Sequence, residues 1–334
     1  MPRIRLSALV LCLLFSAVRV HADAVADLAK YSIFPQVDLS SLSKGKIIAL
    51  RGPALSFPRD LTVQSVYLVH APLASALDMH KNWDAGRHPE LKVYLHHDFS
   101  NHPTMADFAL PIPDNATVRK LANATEKLPP LGELQLSKAE AAQYKASGSG
   151  AFPQGVRDFW SQILFKRASA FAQHGLSRQP PYDTAGDGAH TGDEISRLLK
   201  EQPKVRAAFH SIIDRSPLGG GSGSLPLAPY WELFDADNMG AFSLGAECST
   251  LSSDSAQLLD LQYYASGGYY AYVTLYQLWP VTVDGKAATL VWRVDLLSTL
   301  SVADLGPFDR MGSGAAMSKE IQRIISYFQK DTGR

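Results

Sequence analysis

Five consecutive strand-forming segments in the last third of the chain constrain its fold most strongly. They are rich in β-branched and aromatic residues and span residues 230–234, 241–251, 257–265, 269–279 and 288–296. Asp284-Gly285 is a strong signal for a tight hairpin turn between the last two segments, and Gly267-Gly268 marks a second possible turn. Because short turns join antiparallel neighbours, these segments predict an antiparallel sheet.

The flanking regions add helices and further strands to this sheet. Apolar residues at helical spacing predict an amphipathic C-terminal helix through Met317, Ile321, Ile324, Ile325 and Phe328. Nearer the N-terminus, the patterns predict strands at residues 63–70 and 91–97, a helix at 73–83, and short strands around 107–112 and 133–136. This order of elements predicts an α+β fold.

A block of helical pattern interrupts the predicted strands between two Gly/Ser-rich segments, residues 146–150 and 219–224. Within this block, Thr191 and Glu194 have the spacing of a capping box at a helix start, and Pro203 interrupts that helix. We therefore predict a helical insertion at about residues 151–218 within a single domain that spans residues 23–334.

The order of elements resembles the helix-grip architecture of START-like and polyketide-cyclase-like proteins. Residues 63–83 and 269–328 carry the resemblance, whereas residues 146–224 depart from the usual layout of these proteins. The resemblance implies a curved antiparallel sheet gripping a long C-terminal helix, with a cavity for an apolar or amphipathic ligand between them. No catalytic residue is carried over, because no motif matches residue by residue.

The first 22 residues have the three regions of a secretory signal peptide. Arg3 and Arg5 precede an apolar run at residues 6–18, and compact residues precede a cleavage position after Ala22. The run is shorter than the ~20 apolar residues of a spanning helix, and no later stretch is long and apolar enough to span a bilayer. We therefore expect export to the periplasm or the extracellular space, and no transmembrane segment after cleavage.

The balance of charges in the mature chain argues against a nucleic-acid partner. The whole chain has 32 basic and 32 acidic residues, and Arg3, Arg5 and Arg19 would leave with the signal peptide. The remainder has an excess of acidic residues and lacks the clustered Lys and Arg that phosphate backbones require. Cys248 would be the one remaining cysteine, which we expect to be a buried residue of a strand.

The tyrosine-rich strands contain the candidate ligand-binding residues. Alternation from residue 269 predicts one face with Tyr270, Tyr272 and Tyr276 and an opposite face with Tyr269, Val273 and Trp279. The complete candidate set is Tyr270, Tyr272, Tyr276, Trp292, Arg293 and Asp295. Two alternatives stay open, because half-buried tyrosines commonly pack across strands and Arg293 with Asp295 could form the solvated side of a strand. Glu247 raises the same question as this charge pair.

Six of the ten histidines lie within a short segment, namely His70, His80, His88, His96, His97 and His102. Their spacing matches no metal-binding motif, and adjacent His96 and His97 point to opposite faces of a regular strand. We expect a surface-exposed histidine-rich region and predict no metal site. The chain also lacks a G-x-S-x-G elbow and a phosphate-binding glycine loop, so we predict no cofactor and assign no catalytic residue.

These patterns favour an exported, non-catalytic protein that binds an apolar or amphipathic, lipid-like small molecule in an aromatic-lined cavity. A cyclase- or hydrolase-type enzyme on the same scaffold is the first alternative, using the histidine-rich segment or Arg293 and Asp295. A structural or interaction protein without a ligand is the second alternative. The identity of the ligand and the oligomeric state remain open.

Overall fold

The computed structural model describes residues 24–53, 55–109, 112–129, 132–183, 188–220 and 223–333. The predicted signal peptide, residues 1–22, therefore lies outside the described residues. The strands within the described ranges are β1 (Ile48–Arg51), β2 (Asp60–Val69), β3 (Val93–Asp98), β4 (Ala228–Ala236), β5 (Met239–Leu251), β6 (Ala256–Ala265), β7 (Ala271–Val283) and β8 (Lys286–Ser298). They form one curved, open antiparallel sheet in the order β1-β2-β8-β7-β6-β5-β4-β3.

Helices precede, interrupt and follow this sheet in the chain. Residues 24–31 are helical and are labelled α1. The other helices are α2 (Leu39–Ser43), α3 (Leu73–Lys81), α4 (Ala116–Glu126), α5 (Lys138–Ala141), α6 (Gln154–His174), α7 (Thr191–Lys200), α8 (Pro203–Ala208), α9 (His210–Arg215) and α10 (Pro307–Asp331). The connection from β3 to β4 contains α4–α9, which are the helical insertions of the fold.

The sheet separates two apolar cores. Along β8, Trp292 and Val294 belong to a large core shared with α1, α4 and the helices α6–α9. The intervening Val291 belongs to a smaller core shared with α3 and α10. Since successive side chains of a strand point to opposite faces, β8 must bury apolar residues on both sides.

The predicted α+β fold, with its antiparallel sheet, long C-terminal helix and helical insertion, is confirmed. The hairpin between β7 and β8 turns at Asp284 and Gly285, both of which have positive φ angles, 51° and 74°. Ile321, Ile325 and Phe328 of α10 pack into the smaller core, where the helix lies along β1 and β2. A curved antiparallel sheet with a C-terminal helix is compatible with a helix-grip architecture.

The short strands predicted around residues 107–112 and 133–136 are wrong. Met105–Phe108 is a 3-10 helix, and Thr104 and Asp107 form a capping box that closes it locally; residues 110 and 111 lie outside the described residues. Residues 134–137 are irregular, and the Gln135 amide donates to the Ser266 carbonyl at 2.8 Å. One such bond to a turn does not make a strand. The sequence patterns also failed to predict α4.

The capping box predicted at Thr191 and Glu194 is wrong as well. His190 is the N-cap of α7, which places Thr191 one position too late to cap the helix. Glu194 bonds elsewhere: its carboxylate accepts from Arg59 Nη2 at 2.6 Å and from the Ser298 hydroxyl at 2.5 Å. These buried bonds tie α7 to the end of β8, so tertiary contacts replace the local cap.

A buried ion pair anchors α6 within the insertion. Arg167 of α6 is fully buried, and its Nε and Nη2 atoms donate to the two carboxylate oxygens of Glu140 at 2.8 and 2.6 Å. The Arg167 guanidinium carbon also lies 4.2 Å from the centre of the Tyr264 ring on β6. The buried, dehydrated guanidinium group of Arg167 therefore connects α5, α6 and the sheet.

We predict that Arg167→Met lowers the free energy of unfolding by about 3–5 kcal/mol, because it leaves the Glu140 carboxylate buried without its partner. Urea denaturation followed by circular dichroism measures this change. Arg119→Met is the matched control, since Arg119 forms a bidentate ion pair of the same kind with Asp114 on the exposed surface. Equal losses in the two variants would contradict a special role for the buried pair.

Candidate functional site

Polar side chains, some buried and some half-buried, line the face of the sheet that also packs against α3 and α10. This polar face consists of Tyr230 on β4, Glu247 on β5, Asp260 and Gln262 on β6, Tyr272, Thr274 and Tyr276 on β7, and Arg293 and Asp295 on β8. The strand registers bring them together, because Glu247 pairs with Asp260, Asp260 with Thr274, and Thr274 with Asp295. Helix α10 covers only the β1 and β2 edge of this face. Partial solvent exposure remains at Glu247, Asp260, Gln262, Tyr272 and Tyr276.

Four of the six predicted ligand-binding residues lie on the polar face: Tyr272, Tyr276, Arg293 and Asp295. The other two point to the opposite face. Trp292 alternates with Arg293 along β8. In the large core its ring stacks parallel to Trp279 and contacts the tilted ring of Phe209. Its indole nitrogen donates to the Gln64 side-chain oxygen at 3.1 Å. The set of six therefore does not line one cavity.

The predicted faces of Tyr269 and Tyr270 are reversed in the structure. Strand β7 begins only at Ala271, so alternation does not extend back to these two residues. Tyr270 is buried in the large core, where its ring stacks on Tyr182 with 4.9 Å between ring centres. Tyr269 instead contacts the Tyr272 ring and donates its hydroxyl to the Gln262 side-chain oxygen at the edge of the polar face.

Arg293 and Asp295 form a rigid pair at the centre of the polar face. The Arg293 Nε donates to Asp295 Oδ2 at 2.9 Å and its Nη2 donates to Oδ1 at 2.6 Å. Asp295 is fully buried and also accepts from the Tyr272 hydroxyl at 2.6 Å and from the Thr274 hydroxyl at 3.3 Å. The second amino group of Arg293, Nη1, makes no hydrogen bond within the described ranges.

Tyr276 connects the Arg293 guanidinium to His80 of α3. The Arg293 guanidinium carbon lies 5.3 Å from the centre of the Tyr276 ring, and the His80 ring packs edge-on against the same ring. His80 Nδ1 lies 2.6 Å from the Ala76 carbonyl oxygen and must donate to it, so Nε2 accepts from the Tyr67 hydroxyl at 2.7 Å. Burial lowers the pKa of His80 to about 4, and the ring is therefore neutral near pH 7.

A pair of carboxyl groups extends the polar face away from Arg293. Glu247 and Asp260 are direct cross-strand partners, and the Tyr230 hydroxyl donates to Asp260 at 2.6 Å. Burial raises the pKa of Glu247 to about 8, with Asp260 as the next cause, and burial raises the pKa of Asp260 to about 7. Two carboxyl groups placed opposite each other resist carrying two charges, so the pair holds a proton near neutral pH.

Gly245 on β5 makes room for the Tyr230 ring that bonds Asp260. A Cβ atom at this glycine would lie 2.2 Å from the Tyr230 ring carbon that bears the hydroxyl. The ring therefore lies directly on the backbone of the neighbouring strand. This close approach aims the Tyr230 hydroxyl at the carboxyl pair.

The histidine-rich segment does not form a separate site. His96 on β3 contacts Glu232 Oε1 at 3.0 Å and Asp98 Oδ1 at 3.1 Å at the rim of the polar face. Burial opposes the charge on His96, but the bonds to these carboxylates outweigh it and raise its pKa to about 9. Within the part of the chain that the structure describes, no cluster of His, Cys, Asp and Glu has the arrangement needed to hold a metal ion. Cys248 is buried in β5, as expected.

Asp260, Tyr230 and Gln262 are polar-face residues that the sequence patterns missed. The signal that could have found Asp260 is its position as a single acid within an apolar strand, as for Glu247.

Comparison of the chain with protein-family models, curated protein sequences and solved structures finds no match. None of the described helices combines the length and the apolar character needed to cross a membrane.

We predict that Glu247→Gln makes the protein more stable than the wild type at pH 8. The raised pKa of Glu247 means that the folded state holds a proton more tightly than the unfolded state, whose glutamate has the ordinary value of 4.5. The contribution of this group to stability is therefore complete at low pH and is lost as the pH rises from about 4.5 to about 8. Glu247→Gln has no charge to gain there and therefore keeps this stability as the pH rises. Its free energy of unfolding at pH 8 should exceed that of the wild type by about 1 kcal/mol or more, because one pKa unit corresponds to about 1.4 kcal/mol.

Thermal unfolding at pH 5 and pH 8 measures this difference. Glu320→Gln on the exposed side of α10 is the matched control and should leave the wild-type pH dependence unchanged. An unchanged pH dependence in Glu247→Gln would show that the Glu247 proton does not contribute to stability.

Proposed function

We propose that this protein is an exported binding protein that holds the polar head of an amphipathic small molecule on the polar face of its sheet. The observation that carries the proposal is the Arg293–Asp295 pair, which is nearly buried yet borders half-exposed tyrosines and carboxyl groups. Export rests on the signal-peptide pattern of residues 1–22.

A buried ion pair is a poor source of stability. Well-packed apolar residues of similar volume are often as stabilising, because charges lose much hydration energy when they leave water. Asp295 holds the Arg293 guanidinium in one orientation, and the Nη1 amino group has no protein acceptor within the described chain. A preoriented arginine with a free amino group is suited to bind a carboxyl, hydroxyl or phosphate oxygen.

The surroundings of the pair fit a head group that both donates and accepts hydrogen bonds. The Tyr272 hydroxyl donates its proton to Asp295 and can still accept a hydrogen bond, and the protonated carboxyl pair on the same face can donate one. Next to Asp295, the half-buried Leu297 and the buried Leu61 add an apolar margin where β8 pairs with β2. Polar groups that fix one end of a molecule beside an apolar wall are typical of small-molecule sites.

The resemblance to START-like proteins supports the same location. In the helix-grip architecture the ligand lies between the sheet and the C-terminal helix, and the polar face is on the α10 side of this sheet. The aromatic-lined cavity expected from the tyrosine-rich strands is not part of the proposal, because Tyr270 and Trp292 pack into the large core. Because these two side chains are buried, the proposed binding site is the polar face and not an apolar cavity.

The Glu247–Asp260 pair supports a second candidate function, an enzyme that transfers protons on the polar face. A carboxyl group whose pKa is near 7 can donate a proton and its neighbour can accept one at physiological pH. The two groups lie on neighbouring strands, and the Tyr230 hydroxyl orients Asp260. In this case the ligand held by Arg293 would be a substrate.

Native mass spectrometry of the protein purified from its own host tests the binding proposal. We expect a co-purifying molecule on the wild type and about tenfold weaker retention by Arg293→Lys, because lysine cannot bind both Asp295 oxygens and also present a separate amino group to the ligand. Arg323→Lys on the exposed side of α10 is the matched control and should retain the molecule. A wild-type protein that carries no molecule, and takes none from a host extract, would contradict the proposal.

The extracted molecule also separates binding from catalysis. An enzyme would consume the molecule when it is returned to the wild-type protein, and Glu247→Gln would stop the reaction while still binding the molecule. A binding protein would return the molecule unchanged in both cases.

A further inference from the structure

A cavity of about 550 Å³ lies on the side of the sheet opposite the polar face. It opens between α1 and the residues that follow it, the end of β1, and the junction of α7 with α8. Its walls are mainly apolar and include Ala29, Ile33, Pro53 and Val205. The volume is within the range of about 300–1,000 Å³ that is typical of small-molecule sites.

Gln64 of β2 places a hydrogen-bond donor in this cavity. The Gln64 Oε1 atom accepts from the Ile33 amide at 3.2 Å and from the Trp292 indole at 3.1 Å. These two donors fix the orientation of the carboxamide, so Nε2 is directed away from them. Gln64 is only 2% exposed and lines the cavity, and its Nε2 makes no hydrogen bond within the described residues. This amino group faces the open space of the cavity, where the acceptor of a bound molecule can replace water.

Gln202 provides the complementary acceptor. It lies between α7 and α8, is 4% exposed and also lines the cavity. Its Nε2 donates to the Thr62 hydroxyl at 3.5 Å, whereas its Oε1 has no partner in the part of the chain that is described. Thr62 and Gln64 are on the same face of β2, so the free oxygen of Gln202 and the free amino group of Gln64 line neighbouring parts of one wall.

The cavity has no charge in its buried part. Its charged lining residues are Glu201 and Lys204, of which Lys204 is exposed and Glu201 binds the Ser56 amide and hydroxyl at 2.6 and 2.7 Å. A charged ligand would lose its hydration here without gaining an opposite charge. The lining therefore favours an uncharged molecule.

We propose that this cavity is a second small-molecule site, and that it binds an uncharged molecule with a carboxamide-like donor and acceptor pair on an apolar frame. The acceptor of the ligand would bind Gln64 Nε2 and its donor would bind Gln202 Oε1. The inference does not depend on ligand binding at the polar face, because the two sites lie on opposite faces and share no lining residue.

Titration of the ¹⁵N-labelled protein with benzamide tests this site through its tryptophan indole signals. Trp292 donates to Gln64, so binding at the Gln64 amide should shift the Trp292 indole resonance in a saturable way. The indoles of Trp160 and Trp231 donate to Thr125 and to the Asp107 carbonyl in another part of the protein, and should not move. Trp→Phe variants assign the signals.

Two matched variants and a matched probe make the test specific. Ala29→Phe fills the cavity without removing a polar contact and should weaken benzamide binding at least about tenfold, whereas Ala26→Phe on the exposed side of α1 should not. Benzoate, which has the same shape and a negative charge, should leave the Trp292 signal in place. Unmoved Trp160 and Trp231 signals in each variant show that the fold is intact.

Three results would overturn the proposal. They are an unmoved Trp292 signal at the solubility limit of benzamide, equal binding by Ala29→Phe and the wild type, and a benzoate response as strong as that of benzamide. None of these results bears on the polar face, whose test uses Arg293 and a molecule from the host.

Discussion

The need to cover both faces of β2, β8 and β7 governs the organisation of this protein. Every residue of β2 is buried, and β8 alternates between two separate apolar cores. A sheet that is buried on both sides needs helices on both sides. The C-terminal helix and α3 can cover one face only, so the other requires a second set of helices. The insertions between β3 and β4 supply that layer, and the buried Arg167–Glu140 pair anchors it.

The same constraint explains where polar groups remain on the sheet. Helix α10 lies along β1 and β2 at one edge, and α3 packs across parts of β6, β7 and β8. The uncovered remainder of this face is partly exposed at several positions, and its side chains are mainly tyrosines and carboxyl groups, with one arginine, rather than aliphatic residues. Carboxyl groups there are only partly hydrated, which is why the pKa values of Glu247 and Asp260 rise. The incomplete cover thus makes the polar face chemically distinct from both cores.

Short-range patterns predicted much of the fold and only part of the polar face. Strand alternation places Arg293 and Asp295 on one face, because residues two apart in a strand share a side. The same rule places Trp292 and Arg293 on opposite faces of the sheet. Grouping the aromatic residues together nevertheless predicted one cavity that contained both. The faces on which Tyr269 and Tyr270 lie depend on where β7 begins, and no residue in the sequence marks that position clearly. Strand boundaries are set by long-range pairing as well as by local propensity.

Contacts between distant segments escape such patterns altogether. The pairing of Glu247 with Asp260 depends on the register of β5 and β6, which shifts by a bulge between Leu244 and Gly245. A one-residue change of register would put one of these carboxyl groups on the opposite face. The cavity at Gln64 similarly requires α1, β2 and the α7–α8 junction to meet, and nothing local to Gln64 indicates that its amide will face an open space.

The two proposed sites are joined by the backbone of β2 and β8. Gln64 accepts from Trp292 on one face, and on the other face the next residues, Ser65 and Arg293, are direct partners in the strand register. Because side chains alternate, Trp292 contacts Gln64 on one face and the adjacent Arg293 lies on the other. A displacement of β8 relative to β2 would therefore change the position of the Arg293 guanidinium and of the Gln64 carboxamide together. Burial on both faces resists that displacement, since close-packed cores do not deform freely, and this rigidity is what would keep both sets of hydrogen-bonding groups preoriented.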